Sequence, residues 1–187
     1  MSRQTWKAGN MLYPLPAVII TSLKEDGSVN PFTVAWCGNI CTNPAMVSIS
    51  VRKSRFSYNL IKQSGEFVIN LVTKDLVKAC DYCGVKSGQD VDKIKKLGLH
   101  LNKIEDYKTS GILESPVNIV CSVKQIIELG SHDLFIANVL AVNVDDSLLD
   151  EFNKLDLAKA NLVSYSHGEY YALGEYLGKF GYSIKKD

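Results

Sequence analysis

The chain has 187 residues, 46% of them hydrophobic and 22% charged, and 21 Lys and Arg against 20 Asp and Glu leave a formal charge of +1. At this length roughly 70% of the unfolded surface can be buried, so a core can close without disulfide staples, and one domain over residues 1–187 is expected. Balanced charge, with no basic run before the short Lys185-Lys186 tail, argues against nucleic acid as a partner. Apolar stretches such as Ala17 to Ile20 fall far below the ~18 residues of a spanning helix, which argues against a membrane protein. The N-terminus carries no apolar signal core with a small-residue cleavage site, so the expected compartment is the cytoplasm. Five cysteines, an odd number, fit reduced thiols better than a disulfide framework.

Leu15 to Leu23 is almost continuously apolar and β-branched, and Asp26-Gly27 is a turn signal leading into Val29 to Trp36, which predicts a hairpin. Pro31 cannot donate to a ladder and belongs at a strand start, an edge or a bulge. From Met46 to Arg52 the chain alternates, with Val47, Ile49 and Val51 on one face and Ser48, Ser50 and Arg52 on the other. Ser54 is placed to cap a helix over Arg55 to Gln63 that points Phe56, Leu60 and Ile61 inward and stops at Gly65. A strand follows from Glu66 to Val72. Thr73 or Asp75 would cap a second helix running to about Cys83, and Asp90 a third, short one ending near Gly98. Val117 to Leu129 and Leu134 to Asp145 predict two strands joined by the tight turn Gly130-Ser131-His132-Asp133. Both exceed the usual ~5–6 residues, so they must bend, as antiparallel strands of a closing barrel do. The chain ends in a Gly- and Tyr-rich run from Tyr165 to Tyr182, and no internal repeat or linker marks a second domain.

Neither Gly-x-Gly-x-x-Gly nor Gly-x-x-x-x-Gly-Lys-Ser/Thr is present, so a dinucleotide fold and a P-loop have no support. Cys80-Asp81-Tyr82-Cys83 with Cys37 and Cys41 could supply a four-sulfur zinc site. Leu76, Cys80 and Cys83, however, fall on one helical face, where thiols act as small hydrophobes, and near a helix C-terminus, which disfavours a thiolate. Packing is therefore expected ahead of zinc. His100, His132 and His167 are scattered, but His132 sits in the tight turn, available to a ligand. Asn30, Thr33, Ser48, Ser50, Arg52, Arg55 and Ser57 cluster around two strands and a helix start. A guanidinium, hydroxyls and first-turn amides together suit a phosphate, although a solvated strand face and a routine cap would give the same pattern.

The segment order resembles the flavin reductase-like family of FMN-binding split barrels, in particular its flavoredoxin branch. The resemblance spans nearly the whole chain. It is carried by Asn30-Pro31-Phe32-Thr33-Val34-Ala35-Trp36, Asn43-Pro44-Ala45-Met46-Val47-Ser48-Ile49-Ser50-Val51, Arg55-Phe56-Ser57, Gly65-Glu66-Phe67-Val68-Ile69-Asn70-Leu71, Cys83 to Lys93, and Gly130-Ser131-His132. It implies a mainly β fold, an antiparallel Greek-key split β-barrel with a few short flanking helices, and a homodimer holding FMN non-covalently near the subunit interface. By the same resemblance, Ser50, Arg55, Ser57 and Lys93 would serve the phosphate; Asn30, Thr33 and the backbone around Ala35 the pyrimidine edge; Trp36 and Tyr165 the flat ring. His132 would reach the cofactor from its turn. The implied function is an oxidoreductase passing electrons from NAD(P)H through FMN to an acceptor. A flavoredoxin-type electron carrier working with a redox protein, and a flavin-free binding module with a Cys-based zinc site, are the alternatives.

Overall fold

The computed structural model describes residues 1–184; the Lys185-Lys186 tail lies outside the described residues. The predicted first strand divides at Ala17 into β1 (Leu15–Pro16) and β2 (Val18–Leu23), and β2 pairs with β3 (Val29–Val34) in the expected hairpin. Gly27 takes the turn with φ 81°, a conformation that favours glycine. β3 is a sheet edge, the position open to Pro31. The strand stops at Val34 rather than Trp36. The chain crosses Ala35 and Trp36 and continues as β4 (Cys37–Cys41), which pairs with β5 (Met46–Val51). In β5 the expected alternation holds, with Val47, Ile49 and Val51 buried.

Helix α1 (Phe56–Ser64) starts one residue later than expected. Its N-cap is Arg55, with no side-chain cap, and Gly65 closes it at φ 67°. Ser54 is therefore not the cap. The buried face is Ser57, Tyr58, Leu60 and Ile61, while Phe56 is only half-buried. β6 (Glu66–Leu71) follows, then α2 (Val77–Val85) capped at Leu76, whose N–H meets Thr73 Oγ1 at 3.3 Å. α3 (Lys93–Leu97) is capped by Asp92, not Asp90: its carboxylate accepts from Lys95 N at 3.1 Å. Short β7 (Leu101–Asn102) and β8 (Gly111–Ile112) precede the two long strands, β9 (Val117–Glu128) and β10 (Asp133–Val144). These pair along their length with register shifts at Ile136/Ala137 and Val139/Ala141, which take up the bend. β11 (Val163–Ser166) and β12 (Glu169–Ala172) form a hairpin that adds β1 to a three-stranded sheet, an element the sequence pattern did not reveal.

The main sheet has the order β3-β2-β6-β9-β10-β5-β4, antiparallel throughout. Hairpins β2-β3 and β4-β5 lie at opposite ends, β6 returns beside β2, and β9-β10 fills the gap, a Greek-key arrangement. Because β3 runs almost directly into β4, the two ends of the sheet are joined by the chain itself, and Ser50 N donates to Trp36 O at 2.8 Å across the seam. The barrel interior holds Ile20, Phe32, Ile49, Ile61, Phe67 and Phe135. The outer face of β2 is also covered: Ala17 and Ile19 pack with Val72, Leu76, Ala79, Cys80, Ile112 and Val163. Burial on both faces explains why the first strand reads as an unbroken apolar run.

One buried polar contact fixes α1 against the β9-β10 turn. Tyr58 Oη donates to Asp133 Oδ2 at 2.6 Å, and Lys53 Nζ lies 3.5 Å from the same oxygen. Asp133 is fully buried, and its pKa is held below the usual value first by the Tyr58 hydroxyl and then by Lys53, against the opposing effect of burial. A depressed carboxylate pKa contributes stability that is present above about pH 4, the ordinary aspartate value, and is lost as pH falls through the folded value. Tyr58→Phe is expected to lower the urea midpoint at pH 7 and to lower it progressively less as pH falls below about 4; a loss that stays the same at every pH down to acid unfolding would contradict this role.

Candidate functional site

A cleft of about 330 Å3 opens over the barrel seam. Seven of the ten residues singled out from sequence line it: Thr33, Ala35, Trp36, Ser50, Arg55, His132 and Tyr165. They arrive from five parts of the chain. The end of β3 and the crossing segment bring Thr33, Ala35 and Trp36, β5 brings Ser50, the start of α1 brings Arg55, the β9-β10 turn brings His132, and β11 brings Tyr165.

The other three stand behind the wall. Asn30 Nδ2 donates to Ser57 Oγ at 2.8 Å, and both side chains are buried. Asn30 Oδ1 is buried with no hydrogen-bond partner and lies under Gly88, where a Cβ would come within 1.7 Å of it. Gly88 is thus required by close approach rather than by its backbone angles. Lys93 is buried, with Nζ 3.3 Å from the carbonyl of Cys83 and 3.2 Å from that of Lys86. It ties α3 to the C-terminal end of α2, where a cation meets the negative end of the helix. Burial is the main cause of its lowered pKa, with the nearby Arg55 charge adding to it.

Within the cleft, the Thr33 hydroxyl donates to the Cys80 carbonyl, so its proton is already engaged with α2. Ala35 O accepts from Cys37 N at 3.1 Å. The Trp36 and His132 rings stack with centroids 4.5 Å apart and planes inclined by 34°. Arg52 Nε donates to His132 Nε2 at 3.4 Å, so Nδ1 carries the ring proton and donates to Ser131 Oγ at 2.9 Å. Burial and the charges of Arg52 and Arg55 hold the His132 pKa below its ordinary value, which keeps the ring neutral at pH 7.

The electrostatics are one-sided. Both arginines face the cleft, and among the described residues neither is paired with a carboxylate. Arg55 also begins α1, whose first-turn amides have no side-chain acceptor. Two unneutralised guanidiniums beside an uncapped helix N-terminus make a receptor for an anionic group. The cleft also has aromatic walls, Trp36, Tyr165 and Tyr170, with Trp36 joined to Arg52 through the stacked His132. The site therefore suits a ligand that carries both a flat ring and an anionic group.

Sequence reasoning missed Asn10, Gly84 and Tyr170 as lining residues and gave Arg52 only as one of a polar cluster suited to a phosphate. Arg52 stood in the polar cluster but shares its β5 face with serines, with no mark of the ligand. Tyr170 enters because it pairs with Tyr165 across the β11-β12 hairpin. Gly84 enters because α2 lies against β3, where a Cβ would come within 3.3 Å of Thr33. Cys80, Cys83 and Cys121 are buried and pack as small apolar groups, while Cys41 is exposed; burial pushes the Cys80 thiol up to about 12 and that of Cys83 to about 11. Among the described residues no three His, Cys, Asp or Glu side chains converge as metal ligands, and no helix is long and apolar enough to cross a membrane.

Residues 10–174 match the family model described as the flavin reductase like domain. An uncharacterized protein of Archaeoglobus fulgidus is 33% identical over 139 residues, 74% of this chain and 77% of that one. Among solved structures, the flavoredoxin of Desulfovibrio vulgaris (Miyazaki F) superimposes with a TM-score of 0.91 at 30% identity, covering 98% of this chain and 100% of that one. The flavoredoxin of Methanosarcina acetivorans gives 0.88 at 25% identity, with 97% of each chain covered. The architecture is the split barrel of these proteins, and the chain belongs to the flavin reductase-like family.

Proposed function

We propose that the cleft binds FMN and that the protein is an oxidoreductase passing electrons from NAD(P)H through this cofactor to an acceptor. The observation that carries the reading is the combination in one cleft of aromatic walls with unpaired Arg52 and Arg55 beside the open start of α1. FMN has the matching shape and charge. The residues present fit it. Arg55 and the first-turn amides of α1 would hold the phosphate, with Ser57 behind them, and Trp36 and Tyr165 would flank the ring. Bound there, the cofactor would supply the hydride and electron chemistry, while the protein supplies position and field. Arg52, held 3.4 Å from His132, which stacks on Trp36, would add positive charge between the ring walls and the phosphate end. No side chain needs to act as an acid or base.

A homodimer with the cofactor near the subunit interface belongs to the same reading. Trp36 and Tyr165 wall the cleft from a single chain, and the C-terminal segment leaves Leu173, Tyr176, Leu177 and Phe180 exposed, an apolar surface suited to a second copy. The likeness to two flavoredoxins supports the second reading, in which bound FMN exchanges electrons with a protein partner. Anaerobic NADH or NADPH is expected to bleach the bound flavin. Failure of both, with rapid reduction by a reduced redox protein, would select the carrier instead.

The cleft makes a further distinction between ligands. Arg55→Ala is expected to weaken FMN binding by roughly 10- to 100-fold, as for losing charge-assisted hydrogen bonds of ~1.5–3 kcal/mol, and to leave riboflavin, which lacks the phosphate, nearly unchanged. Equal losses for both ligands in a fluorescence titration would remove Arg55 from the phosphate site. Trp36→Ala should weaken both ligands alike, by about tenfold, because it takes away the ring wall.

A further inference from the structure

A second cavity, of about 700 Å3, lies beside the cleft and shares Trp36, Ser50 and Asn10 with it. It is formed where the irregular N-terminal arm passes over β4 and β5. Met11, Leu12, Tyr13, Leu15, Trp36 and Cys37 make most of its surface, with small polar groups between them. No charged side chain lines it, in contrast to the cleft with its two arginines. Cys37 is half-buried, and burial pushes its thiol up to about 12, so it is a protonated packing group at neutral pH rather than a nucleophile.

These features select a ligand class. An uncharged lining offers nicotinamide nucleotides, flavin phosphates and acidic peptides no partner for their charges, whereas the neighbouring cleft with Arg52 and Arg55 does. A mostly apolar cavity of this size takes a neutral ring compound, and the shared Trp36 wall puts such a compound next to the redox centre. We propose that this cavity is the acceptor site and that it takes a neutral quinone-type oxidant. The proposal rests on the FMN reading above for its chemistry, though not for the binding itself. The quinone takes up two electrons and two protons and leaves as the hydroquinone. The electrons and one proton come from the reduced cofactor, the second proton from solvent, and the cofactor returns to its oxidised form. Leu12 and Met11, at the cavity mouth and exposed, would set which ring sizes enter.

Duroquinone is a suitable probe, because its ring is fully substituted and does not arylate exposed thiols such as that of Cys41. Binding is measured by calorimetry on the flavin-free and the FMN-loaded protein. Reoxidation of photoreduced FMN-loaded protein is followed with duroquinone and, separately, with ferricyanide, a charged oxidant that reacts without entering the cavity. Two variants, Leu12→Trp and Leu12→Arg, fill or charge the cavity at an exposed position where folding is not at risk. The proposal predicts saturable duroquinone binding that both variants weaken at least about tenfold, and a matching fall in the duroquinone rate relative to ferricyanide. No saturable binding, or equal binding in all three proteins, would overturn it. So would conversion of a dimer to monomer by Leu12→Arg in sedimentation, which would make the cavity part of a subunit contact. Duroquinone binding without FMN binding would leave the cavity standing and remove the flavin reading, so the two failures are distinct.

Discussion

A seven-stranded sheet with two open edges is the constraint on which the rest of this structure depends. The two edge strands follow each other in the chain: β3 runs straight into β4, so that the sheet ends are joined by Ala35 and Trp36 and the sheet curls toward closure. The Ser50 to Trp36 backbone hydrogen bond closes the seam. The seam is also where regular pairing is interrupted, and the interruption is used. Thr33, Ala35, Trp36 and Ser50 all line the cleft because they sit at or beside this crossing. Architecture and site thus share one cause.

Charge is distributed to the same end. The buried Asp133 takes Tyr58 and Lys53 as partners, which anchors α1 and the β9-β10 turn to each other. That leaves Arg52 and Arg55 without carboxylates and holds His132 neutral against Trp36. A pair of exposed guanidiniums with no carboxylate partner leaves an uncompensated positive field over the cleft, which attracts an anion. The receptor character of the cleft follows from that imbalance more than from any single residue.

Much of this was legible in the chain. The clean alternation of Met46 to Val51 and the Asp26-Gly27 turn are local signals, and both elements formed as read. The length of β9 and β10 implied bending, and the bulges supply it. The helix starts were misread because Ser54 and Asp90 have the right chemistry one or two residues away from the real caps, and tertiary contacts chose the register. The β1-β11-β12 sheet was invisible, since β1 joins β11 across about 150 positions and the β11-β12 hairpin has strands of only four residues, too short to show a period. For the site, Arg55, Trp36 and His132 were readable through short motifs. That Asn30, Ser57 and Lys93 stand behind the cleft was not, because whether a polar side chain faces a ligand or a neighbouring helix depends on packing of α1, α2 and α3.

The central claim is that the Trp36 to Arg55 cleft holds FMN, and the most direct measurement is the visible absorption spectrum of the purified protein before and after added FMN. The released cofactor is identified after denaturation. The account predicts a flavin spectrum and FMN near one per chain. A colourless protein that takes up no added FMN would contradict it.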